Sequence, residues 1–258
     1  MNEQRNQGSL EFFDSFIGKV RSVVARAEES LNSPLLFLSL HADWLAIKEE
    51  IGRTYPDQSC ENNLLLLTLS GLERDLPWRQ VDFLTSRYAM VARNLRFIWE
   101  WVVRSYFVEN AATLRPQDAP PIRSIAGKMK WLEERERKFQ WNYLFEPVFQ
   151  HAGFAASFIE GDAKSLWQIL NNFTHPSISY QSILIGHPEL RTRDAFHHSW
   201  AQQILDVSSK VFDCIWFLAI RSFPDSNETL RQRKHLFQEA PLTRQLLDLS
   251  FRNPVSGV

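Results

Sequence analysis

The stretch from about Arg79 to Asn110 lies within the longest run of the chain that contains neither proline nor glycine. Stepped at the angle of an α-helix, it puts Leu95, Ile98, Trp99, Val102, Val103 and Tyr106 on one wide apolar face. Arg93, Arg96, Glu100 and Arg104 fall together on a narrow stripe. A long central helix is the expectation. Around it the same spacing of three and four recurs in Phe12, Phe13, Phe16, Ile17, Val20, Val23 and Val24, from about Pro34 to Gly52, and from about Cys60 to Asp75 before Pro77.

Beyond Arg115 to Pro121, the clearest linker, the pattern resumes at Ile122, Ile125, Met129 and Leu132 and ends in the charged run Glu133 to Lys138. Shorter helices are expected at about Asn142 to Gln150 and at Ala163 to Asn172, the latter with Asp162 as N-cap. Ile178, Tyr180, Ile183 and Ile185, inside the loop Thr174 to Thr192, suit a short extended piece. Asp194 suits the cap of a long helix through Trp200, Ile204, Val211, Ile215 and Leu218 to Ser222, and two short helices follow at Asn227 to Glu239 and Leu242 to Leu249. The fold class is therefore all-α, a multi-helix bundle. Two organisations are open: one domain, or two fused sub-bundles at 1–114 and 121–252 with a tail at 253–258.

The chain has 258 residues, 44% of them hydrophobic, with 29 Lys+Arg against 30 Asp+Glu. That balance is far from the composition of a disordered chain. It also removes any global attraction to nucleic acid or anionic membrane, so such contacts would need a local patch. Cys60 and Cys214 form no metal or redox pair, the start is polar, and no apolar run approaches the length of a membrane span. A cytoplasmic protein without membrane contact is the expectation. Glycine-rich phosphate loops, HExxH, EF-hand loops and GxSxG are all missing, and no nucleotide or other cofactor is called for.

Four of the seven histidines, His175, His187, His197 and His198, gather between 175 and 198. His197 and His198 are adjacent and diverge by about 100° on a helix, whereas two metal ligands from one helix need a spacing of three or four. No metal site is expected. The local run Arg193-Asp194-Ala195-Phe196-His197-His198 resembles the Arg-polar-x-x-x-His motif of the HEPN superfamily, helical bundles that include toxin and phage-defence ribonucleases. The resemblance covers six residues together with the helical architecture. It implies a homodimer that cleaves RNA without a metal, through attack by the neighbouring 2′-hydroxyl. Arg193 would hold the scissile phosphate and His198 would move the proton, with Asp194 in the polar place and His197 beside it.

A plain reading stands next to that one: Arg193 a solvated loop residue, Asp194 an ordinary cap, His198 a surface histidine. His175, fixed by Pro176 at a helix end, reads either as a C-terminal cap or as a partner of Arg96, Glu100 and Arg104. Similar Phe/Tyr-x-His-Pro-Ser helix ends and Arg-x-x-x-Glu helices occur together in bacterial helical proteins, some linked to abortive infection. The stripe in turn is a set of surface ion pairs if exposed and a polar site if buried. The competing function classes are a non-catalytic helical module that binds a protein partner or a second copy, and an acid–base enzyme using His175 with Glu100.

Overall fold

A computed structural model describes residues 17–18, 21–31, 33–85, 87–116, 124–174, 198–233 and 235–252. Helices account for nearly all of these residues, and no strand occurs among them. In chain order the helices are α1 (21–30), α2 (Leu36–Thr54), α3 (Leu64–Ser70), α4 (Leu72–Leu84), α5 (Tyr88–Glu109), α6 (Ala111–Leu114) and α7 (Ile125–Glu134). Then come α8 (Glu146–Ala152), α9 (Ala156–Phe158), α10 (Lys164–Thr174), α11 (His198–Ser222), α12 (Asn227–Gln232) and α13 (Pro241–Arg252). Among the described residues no helix is long and apolar enough to cross a membrane.

The expected central helix is central but shorter than its sequence pattern. Every residue of α5 from Val102 to Val108 is buried, and α3, α4, α10 and α11 all pack on it. This second half of the helix, buried on all sides, lies inside the core, while Met90, Arg93 and Phe97 of the first half are exposed. Its start is displaced because the chain breaks at Thr85. The Thr85 hydroxyl donates to the carbonyls of Val81 and Asp82, at 2.9 and 3.1 Å, and Arg79 and Arg87 both pair with the Asp82 carboxylate. Side-chain bonds of this kind compete with the helical ladder and close α4 there. The stop expected before Pro77 is also shifted. The break falls instead at Gly71, and α4 runs through Pro77 to Leu84.

Two π-helical turns, Trp141–Phe145 and Ile159–Ala163, feed directly into α8 and α10. Asp162 accordingly sits inside a turn of a helix that is already running, and not at its N-cap. The helix expected at Asn227 to Glu239 is the shorter α12, and Phe237 beyond it has a left-handed backbone with φ 58°.

α11 is the second interior element, with Val211 to Ile220 buried without interruption. Trp216 on it stacks against Trp44 of α2, ring centroids 6.2 Å apart and planes within 6°. One continuous hydrophobic core runs from Ala27 on α1 to Leu247 on α13 and takes in both halves of the chain.

Candidate functional site

The stripe on α5 is buried at Arg96 and Arg104 and half-buried at Glu100, while Arg93 at its start is exposed. Arg96 and Arg104 are only 8% and 9% exposed, and Glu100 lies between them one helical turn from each. Arg96 Nη1 is 2.6 Å from Glu100 Oε2, and Arg104 Nη2 donates to Glu100 Oε1. One carboxylate thus holds two guanidinium groups. Arg104 also approaches the exposed Glu136 at 3.8 Å.

Removing a charge from water is costly unless contacts offset it, and aromatic rings supply them here. The Arg96 guanidinium lies 5.4 Å from the Phe145 ring centroid and 5.5 Å from that of Trp167. Arg104 lies 4.9 Å from Phe139 and 5.5 Å from Trp101. These are cation–π distances. Burial first, and then the neighbouring charge of Arg104, push the Arg96 pKa below that of an ordinary arginine, while Glu100 acts in the opposite direction.

A further Arg96 donor, Nε, reaches across to α10 and donates to Asn171 Oδ1 at 2.8 Å. Two residues further along, Phe173 meets Trp200 of α11 edge-on, at 6.0 Å and 88°. The last turn of α10 is therefore gripped by α5 through Asn171 and by the beginning of α11 through Phe173. His198 lies on α11 two residues before Trp200 and is exposed to solvent.

Of the residues the sequence singles out, Arg96, Glu100 and His198 are in this region of the fold. His175, Arg193, Asp194 and His197 lie outside the described residues, as does the extended piece at Ile178 to Ile185. The α10 terminus that precedes His175 is held by the arginine stripe. Among the described residues no three His, Cys, Asp or Glu side chains gather as a metal site requires.

Two groupings escape sequence reasoning. Asn171 is one polar residue on an amphipathic helix, and nothing in its spacing marks it as the partner of Arg96. The Tyr106 hydroxyl lies 3.1 Å from Nδ1 of His151 on α8. Burial pushes the Tyr106 phenol up to about 12, against an opposing effect of Arg221. Burial and then Arg221 lower the His151 imidazole. Both shifts favour the neutral forms of the two groups. Tyr106 belongs to the apolar face of the sequence pattern, so only the tertiary fold could pair it.

Chemically, the region offers fixed guanidinium groups suited to anions and the exposed imidazole of His198. Comparison of the chain with family models, with curated proteins and with solved structures finds no match.

Proposed function

We propose that the protein is a metal-independent endoribonuclease of the HEPN-like toxin or phage-defence type, working as a homodimer in the cytoplasm. The observation that carries the reading is His198. It stands exposed on the longest described helix, open to a substrate, as the reading requires of the last residue of an Arg-polar-x-x-x-His run. Arg193 binds the scissile phosphate, its planar fork matching two phosphate oxygens. One His198 of the dimer accepts the proton of the ribose 2′-hydroxyl as that oxygen attacks phosphorus, and the other protonates the departing 5′-oxygen. The products are a 2′,3′-cyclic phosphate and a 5′-hydroxyl. Arg96, Glu100 and Asn171 act as support, fixing the end of α10 against α5.

Incubation of labelled RNA with the purified protein in excess EDTA tests the reading. Wild type should cleave; His198→Ala should lower the rate by about 10²- to 10⁴-fold, the usual weight of a lost proton-transfer group, and Arg193→Ala by about 10²- to 10³-fold, that of a lost electrostatic stabiliser. Absence of cleavage by a folded wild-type dimer removes the proposal.

A second reading, a non-catalytic helical module that binds another copy of the chain, has its own support. Trp78 on α4 and Phe97 on α5 are 60% and 63% exposed. A protein that self-associates through these side chains and leaves RNA intact would favour it.

A further inference from the structure

At the end of α11 farthest from His198 a cavity of about 890 Å³ opens between the α8–α9 connection, the last turn of α11 and α13. One wall is a column of rings. Phe154 packs on Phe217 with centroids 4.0 Å apart, and Phe158 stacks on Phe154 at 5.3 Å with planes within 15°. Leu246 of α13 supplies further apolar lining.

Two opposite charges line the same cavity without neutralising each other. Arg221 and Asp225 are four residues apart, the spacing at which they would pair on a continuous helix. The helix does not continue. α11 ends at Ser222, and the 3₁₀ turn Pro224–Ser226, opened by a proline, redirects the chain before Asp225. Both side chains belong to exposed residues on the cavity wall. Arg221 makes no ion pair with Asp225 or with any other carboxylate among the described residues. Its charge is felt instead by Tyr106 and His151, on the α8 side. Asp225 is anchored at its backbone, whose N–H donates to the Tyr55 hydroxyl at 2.8 Å, and burial first, then a side-chain hydrogen bond to Asp225 and its charge, raise the Tyr55 phenol against the effect of that backbone bond.

An aromatic wall with a separated cation and carboxylate complements a ligand that has a flat apolar body and both charges. We propose that this cavity binds a zwitterionic small molecule of the chemistry of an aromatic α-amino acid. Its carboxylate lies on Arg221, its ammonium on Asp225, and its ring against the Phe154–Phe158 column. The volume suits a small-molecule site. The inference does not rest on the ribonuclease reading, and its test uses no RNA.

Isothermal titration calorimetry of the full chain with L-tryptophan, L-tryptophanamide and N-acetyl-L-tryptophan separates the two charges. Tryptophan should bind saturably at one site, and each of the other compounds about tenfold or more weakly, since each lacks one charge-assisted contact. Arg221→Gln should abolish the preference for tryptophan over its amide and keep the preference over the N-acetyl compound. Asp225→Asn should do the reverse, and Arg221→Lys should retain both preferences. No saturable binding of tryptophan, equal affinity for all three compounds, or discrimination against only one of the neutralised compounds would overturn the proposal. The last result would describe a site for a single charge.

Discussion

Asp43 on α2 has a carboxylate oxygen bound to the N–H of Phe237 at 3.1 Å, and burial raises its pKa from 3.8 to about 6, with the nearby Glu239 adding to the rise. The folded chain therefore binds this proton more tightly than the unfolded chain. The unfavourable charge is absent below about pH 4, grows as pH rises through 6, and above that weakens the fold by about 2–3 kcal/mol. Asp43→Asn keeps an oxygen for Phe237 and removes the charge. It should raise the melting temperature at about pH 7.5 by several degrees and leave it unchanged near pH 4. Thermal melts at the two pH values check this, and equal destabilisation at both would show that the bond to Phe237 matters more than the charge. Residue-scale features of this kind are not legible in sequence. Asp43 occurs among polar residues of an amphipathic helix, and only the return of the chain at Phe237 buries it.

Among the elements, α13 depends on a side chain from another helix. Asp213, inside α11, accepts from the N–H groups of Leu242 and Thr243, both at 2.8 Å, and from the Thr243 hydroxyl at 2.8 Å. The first turn of a helix always leaves N–H groups without partners in the helix itself. Asp213→Ala should strand these donors in the interior and destabilise the protein by about 2–4 kcal/mol, measured by urea denaturation. A loss below about 0.5 kcal/mol would mean that water replaces the carboxylate.

A comparable clamp joins three helices. Lys128 of α7 donates to both oxygens of Glu109, at 2.7 and 2.8 Å, and Glu109 also accepts from the N–H of Leu64 at the start of α3. At this scale the sequence was informative about which segments are helical, because the three-and-four spacing of apolar residues is local. Their ends were less legible. The α4–α5 break depends on Thr85 and on two arginines meeting Asp82, and the α10 segment begins early because a π turn carries α9 into it.

Across the whole molecule, the two halves separated by the Arg115 to Pro121 linker share one core. The stack of Trp44 on Trp216 and the packing of α10 and α11 on α5 cross the linker. Urea unfolding should accordingly give one transition, coincident by near- and far-ultraviolet circular dichroism. Trp216→Ala should shift that single transition, with a loss of about 3–5 kcal/mol. Two separated transitions, with only one moved by the substitution, would show that the halves fold as independent bundles. The same continuity places His198 and the Arg221 cavity at opposite ends of one helix whose interior half is immobilised by packing.

The all-α class, the central position of the Leu95 to Tyr106 face and the arginine–glutamate stripe follow from sequence alone, because each depends on residues within a few turns of one another. The meaning of the stripe did not. Surface ion pairs and a buried polar site have the same sequence, and the tertiary structure chose burial by laying Phe139, Phe145 and Trp167 over Arg96 and Arg104. Asn171, the His151–Tyr106 pair and the Arg221–Asp225 cavity are likewise products of distant segments meeting. Periodicity records which side of a helix avoids water, but a charge or hydroxyl acquires its chemistry from what is packed against it, and that is settled only when the whole chain folds.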